Sequence, residues 1–145
     1  MNILKAQPKN IWILTPTIGS FLFIILYVIA AFLYPGGSGS DKTSIGYSWT
    51  DNYWCNLLSE KAINGQPNEA RPVAIAAMFI LGLTLSAFWI LFPSLTQLKK
   101  YHRLSIQIAG TVCMIASFLL LSGIDHDIAS NASSALGLIA MLGTM

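Results

Sequence analysis

The sequence predicts an all-α integral membrane helical bundle, and three observations carry that prediction. Of 145 residues, 54% are hydrophobic and only 10% are charged, against about 25% charged in an ordinary soluble domain. Three runs of more than twenty residues carry no charge at all, and five of the eight basic residues lie before the first run or between the second and third, where no acid occurs. A soluble globule of this size needs a polar surface, and eight basic plus six acidic side chains are too few to build one. The same composition excludes a disordered chain and a disulfide-rich scaffold. A net charge of +2, scattered along the chain, excludes a nucleic-acid footprint and leaves the lipid bilayer as the expected partner.

The first run, residues 11–34, is 24 residues long; the second, 72–95, is also 24, and the third, 104–124, is 21. A hydrocarbon core of roughly 30 Å takes about 20 helical residues, so each run is long enough to span it. Lipid offers the backbone no hydrogen-bond partner and the runs lack strand alternation, so helix is the expected form. A fourth apolar stretch, 132–145, covers 14 residues, a rise of only about 21 Å. The prediction is therefore three full transmembrane helices plus the start of a fourth, in a single membrane domain over 1–145, and an N-terminal fragment of a longer protein.

Charge sets the orientation. Lys5 and Lys9 precede the first run, and Lys99, Lys100 and Arg103 fill the link between the second and third, whereas all six acidic residues fall in the first loop or after the third run. The positive-inside rule places the N-terminus and the Lys99–Arg103 link in the cytoplasm. The expected location is the cell inner membrane, multi-pass, with loop 35–71 on the outer side. The first run is longer than the apolar region of a signal peptide and is read as an uncleaved anchor. Gly82 with Ser86 and Ser133 with Gly137 form small-xxx-small pairs, read as helix packing. Pro16 and Pro93 fall in a first and a last turn, where proline costs least.

The outer loop is too long and too aromatic for a plain linker. It opens with Pro35-Gly36-Gly37-Ser38-Gly39-Ser40, read as flexible, and continues through Tyr47-Ser48-Trp49-Thr50-Asp51-Asn52-Tyr53-Trp54-Cys55-Asn56-Leu57-Leu58. Trp49, Tyr53 and Leu57 recur four apart, which predicts a short interfacial helix with its rings at headgroup level. The segment can equally form a lid or headgroup-binding surface carrying Asp51, Asn52, Cys55, Asn56 and Glu60. Asn64-Gly65-Gln66-Pro67-Asn68 reads as turns. Cys55 and Cys113 are the only cysteines; one is expected outside the membrane and the other midway through the third run, so no bridge between them is expected.

The strongest chemical candidate is the link Asp125-His126-Asp127. Asp125 or Asp127 can accept a proton from the His126 imidazole and fix its tautomer for metal binding or general-base work. Asp51 and Cys55 belong to the same side of the membrane by the charge argument. The candidate catalytic residues are thus His126, Asp127 and Asp51, and the candidate metal ligands Asp125, His126, Asp127 and Cys55. One histidine is a sparse set, since zinc takes three or four ligands. A polar turn in which Asp127 caps the fourth helix accounts for the same residues. His102 lies on the opposite side and is read as an interfacial residue.

Two stretches, Asp51-Asn52-Tyr53-Trp54-Cys55 through Asn64-Gly65-Gln66-Pro67-Asn68 to Arg71-Pro72, and His126-Asp127 leading into a small-residue helix, resemble a family of prokaryotic multi-pass membrane proteins. That is a domain-of-unknown-function family of about six helices. The resemblance implies about two further C-terminal helices and no particular activity. A narrower resemblance is to the alkaline ceramidase group of membrane zinc hydrolases, which also carry an aspartate-tryptophan-cysteine stretch. Here Asp51 is separated from Trp54-Cys55, the stretch follows a span instead of preceding one, and the paired late histidines are absent.

The leading expectation is a multi-pass membrane protein whose outer loop is a binding or structural surface, open to a lipid or small-molecule ligand. No cofactor is expected for it. The alternative is a membrane-embedded metal-dependent hydrolase or transferase acting on lipid, with zinc at an extracytoplasmic site. A small transporter is third, since the runs lack a mid-membrane ionisable residue.

Overall fold

A computed structural model describes residues 10–118 and 126–143. The described chain is all-helical. A single turn, α1 (Asn10–Ile13), precedes α2 (Thr15–Leu33), α3 (Arg71–Leu95), α4 (Lys100–Phe118) and α5 (His126–Leu142). Among the described residues there is no strand, only two isolated antiparallel bridges, Gly36 with Ile45 and Lys61 with Pro67. The chain divides into two compact units, one of Phe21–Ile80 and one of Met1–Ser20 with Leu81–Met145.

Two helices, α2 and α3, are long and apolar enough to cross a membrane. Their bounds lie close to the first two predicted spans. Pro16 occupies the second position of α2, where its missing N–H would have had no intrahelical acceptor. On α2 the buried residues Phe23, Tyr27, Ala30 and Ala31 recur at i, i+4, i+7 and i+8 and define one face. The remainder of the helix presents Ile18, Phe21, Leu22, Ile24, Ile25, Ile29 and Phe32, all exposed. Near the end of α3 the ring of Pro93 withdraws one backbone donor. There Ser94 Oγ donates to the Ile90 carbonyl at 3.0 Å, and Thr96 Oγ1 to that of Pro93 at 2.8 Å.

The third predicted span is only partly covered. The described part of α4 ends at Phe118, and its first four residues include Lys100, His102 and Arg103, which leaves 104–118 as apolar helix. The chain is already helical ahead of the fourth apolar run: the described part of α5 is His126–Leu142. Asp127 is therefore part of the helical backbone and does not precede it as a cap.

Small residues set the helix contacts of the unit containing Leu81–Met145. A Cβ on Gly110 would collide with the Trp89 ring, and a Cβ on Gly137 would meet Cys113 Sγ at 3.5 Å. Cys113 is buried and its thiol donates to the Ser133 carbonyl at 3.1 Å. The pair Ser133 and Gly137 is thus where α5 meets α4. Gln107 Nε2 reaches back to the Ile90 carbonyl at 2.7 Å and to Ser94 Oγ at 3.0 Å. Gly82 and Ser86 interact within α3, Ser86 Oγ donating to the Gly82 carbonyl at 2.8 Å.

Candidate functional site

The connection between α2 and α3 is a folded polar cap. Backbone bonds tie its strands of loop together: Gly37 N–H to Ser44 O at 2.7 Å, Gly39 N–H to Asp51 O at 3.1 Å, Asn64 N–H to Gly36 O at 3.3 Å and Asn68 N–H to Glu60 O at 3.1 Å. The segment expected to be flexible, Pro35–Ser40, contains buried Gly36, Gly37 and Ser38. Glycine is required at 37 on two counts. Its φ is +84°, and a Cβ there would run into the Asn64 backbone nitrogen.

Two asparagines hold the cap from inside. Asn52 is 8% exposed and its Nδ2 donates to the Gly37 carbonyl at 2.9 Å. Asn68 Nδ2 approaches the carbonyls of Asn56, Leu57 and Ser59 at 3.1, 3.2 and 2.8 Å. Its Oδ1 accepts from Ala70 N–H at 3.1 Å, and its carbonyl accepts from Arg71 N–H, so the same residue caps α3. The sequence marks Asn68 only as a turn residue. Its interior role depends on carbonyls nine to twelve residues away, which no local pattern reveals.

The predicted short helix of the outer loop is present only over its second half, and as a 3-10 helix. Residues 49–51 make a turn, in which Ser48 Oγ accepts from Asp51 N–H at 3.2 Å and the Ser48 carbonyl from Asn52 N–H at 3.1 Å. Only Trp54–Leu58 is helical, as a 3-10 segment. Asn56 Oδ1 accepts from Tyr53 N–H at 2.6 Å at its start. Consequently Trp49, Tyr53 and Leu57 do not share a face: Trp49 and Tyr53 are exposed and Leu57 is 1% exposed. Tyr27 Oη donates to the Trp54 carbonyl at 2.7 Å, and the Tyr27 and Trp54 rings lie 5.0 Å apart. Tyr34 Oη accepts from Ile63 N–H at 3.0 Å and its ring meets Tyr47 edge-on.

Asp51 lines a shallow depression of about 330 Å³ with Gly39, Ser40, Thr50, Asn52 and Tyr53. Hydrogen bonds from Thr50 and Ser48 hold its carboxyl below the usual range, so it is anionic at neutral pH. Asp41 is lowered in the same way by Thr43. Burial pushes Tyr47 up, with the Cys55 thiol and Tyr34 adding to it. The Asp51 carboxylate is the charged group of this lining, and Asn52 Oδ1 is buried with no partner among the described residues. Such a lining suits a hydrogen-bond-donating or cationic group.

The other sequence candidates fare differently. Cys55 is exposed on the 3-10 segment and is a free thiol, as is buried Cys113. Glu60 pairs with Arg71 at 3.5 Å at the foot of α3. Asp125 lies outside the described residues, and His126 and Asp127 are described only as helical backbone of α5. Among the described residues no three His, Cys, Asp or Glu side chains converge as a metal-binding group. The chain matches no family model, no curated protein and no solved structure.

Proposed function

We propose that this chain is a multi-pass integral membrane protein of the inner membrane, with a cytoplasmic N-terminus. In this reading α2, α3 and the helix beginning at α4 are three spans, α5 begins a fourth, and the loop between α2 and α3 is a rigid outer cap that serves as a structural and binding surface. One observation carries the membrane reading. The candidate spans are among the most apolar parts of the chain, yet only 22% of the apolar window of α2 and 17% of that of α3 are buried. A core helix of a soluble protein buries its apolar side chains; here they face outward, where lipid is the solvent that accepts them.

The cap's interior hydrogen bonds support a surface of fixed shape over a plain linker. The depression around Asp51 is the part of that surface suited to a ligand, of the class of an ammonium group or another hydrogen-bond donor. The test is membrane extraction combined with thiol topology, on a Cys55→Ser background. The protein is expected to stay in the membrane fraction after alkaline carbonate. An impermeant maleimide should label a Lys42→Cys variant from outside spheroplasts, and Lys99→Cys only after lysis. Release by carbonate would refute the membrane reading, and the reverse labelling pattern would refute the orientation.

A further inference from the structure

The length of α2 and the place where the cap touches it fix a depth. Nineteen residues rise about 28 Å, which is nearly the whole hydrocarbon thickness of roughly 30 Å. The exposed side chains stay apolar to the end of the helix, with Phe32 83% exposed and Leu33 exposed after it. The exposed face stays apolar through Leu33 and the glycine-rich start of the cap follows it, so Leu33 is placed at the boundary. Tyr27 is six residues earlier and Phe23 ten, which puts them about 9 and 15 Å deeper along the axis. A tilt of about 20° shortens those depths by only about 6%. Trp54 packs on both, with ring centroids 5.0 Å from Tyr27 and 6.3 Å from Phe23.

Most carbonyls of this segment are bonded within the protein. Irregular backbone is tolerated at membrane depth only where its polar groups are satisfied by protein. Here the Trp54 carbonyl takes the Tyr27 hydroxyl, those of Asn56, Leu57 and Ser59 take Asn68 Nδ2, and that of Leu58 takes Arg71 Nε at 3.2 Å. The outward-facing residues are Tyr53, Trp54 and Cys55, with Trp54 57% exposed. We infer that residues 53–58 re-enter the bilayer beside α2, within the leaflet that holds the C-terminal end of that helix, and that Tyr53 and Trp54 pack against its phospholipids. This rests on the membrane reading of α2. The aromatic pair then holds the cap against the acyl chains, below the headgroups.

The experiment uses the chain in phosphatidylcholine–phosphatidylglycerol vesicles, with a bimane maleimide on native Cys55 and the Cys55→Ser protein as the blank for any label on Cys113. Lys42→Cys and Ile25→Cys, both in the Cys55→Ser background, give a cap reference and a span reference. Lipids carrying a nitroxide at a shallow or a deep acyl carbon serve as quenchers. The expected result is quenching at Cys55 several-fold stronger than at Lys42→Cys, with the deep nitroxide at least as effective as the shallow one. Quenching at Cys55 equal to that at Lys42→Cys, with Ile25→Cys strongly quenched, would overturn the re-entry while leaving the membrane reading intact. An unquenched Ile25→Cys would remove the membrane reading and the re-entry with it.

Discussion

The cap and the α4–α5 pair are built on opposite principles. In α4 and α5 the backbone satisfies itself, and what decides the contact is how closely two helices approach: Gly137 lies over Cys113. In the cap almost nothing is satisfied by regular structure, and two asparagine side chains supply donors to the Gly37, Asn56, Leu57 and Ser59 carbonyls. A helical segment therefore tolerates any side chain that leaves room, whereas the cap depends on particular atoms. Substitutions should be graded accordingly, severe and local at the cap's donors and milder where packing alone is at stake.

The largest effect is expected at Asn68→Ala, which removes a donor serving three carbonyls together with the side-chain acceptor at the start of α3. A loss of about 3 kcal/mol is expected from unsatisfied buried groups, read as a lowered melting temperature in detergent and new proteolysis between residues 61 and 67. A melting curve like that of the native chain would end the contrast. Next is Gly37→Ala, where a positive φ and a backbone collision coincide. About 2 kcal/mol is expected, whereas the same change at Gly65, whose surroundings are open, should cost only the conformational part, about 1 kcal/mol. Equal losses at the two would show that the collision is relieved.

These expectations also show what the sequence could disclose. The two long apolar helices were legible because a membrane-length run needs no partner to be recognised, and Pro16 and Pro93 fell where proline is tolerated. The cap was not. Four-residue spacing of Trp49, Tyr53 and Leu57 suggested a helix, but Ser48 takes the next turn's N–H groups and closes the chain before a helix starts. The Pro35–Ser40 stretch read as slack because glycine and serine are common in linkers, although here Gly37 is needed for its conformation. Asp51 was singled out from sequence and lines the depression. Its neighbour Asn52 was named as a surface residue and is instead a buried brace.

In the helical region, Gly137→Leu should push α5 away from Cys113 and cost about 1–2 kcal/mol by overpacking, and Gly137→Ala much less. Quicker thiol modification of Cys113 in the leucine variant is the readout; unchanged reactivity would mean the two helices do not depend on that contact. Tyr27→Phe removes one hydroxyl bond to the Trp54 carbonyl and should cost about 1 kcal/mol, seen as a lower melting temperature with unchanged helix content by circular dichroism.

The smallest effect is that of acid. The Asp41 and Asp51 carboxyls are held below their ordinary values by hydroxyl and backbone donors. Their contribution is therefore fully present above the unfolded carboxylate pKa of about 4 and declines as pH falls through the lower folded values. Hydrogen exchange at the Thr43 and Asp51 amides should be protected equally at pH 7 and 5, after correction for intrinsic rates, and less so near pH 3. Asp51→Asn should flatten that dependence at Asp51 alone.

Asn68 has one more consequence, for the order of assembly. Its side chain closes the 3-10 segment while its own carbonyl and Oδ1 start α3. In a nascent chain the carbonyls of Asn56, Leu57 and Ser59 have no side-chain amide to accept from until Asn68 emerges. The second long helix acquires its capped N-terminus in the same event. Whatever later pries the cap open must also disturb the first turn of α3, because one amide side chain serves both.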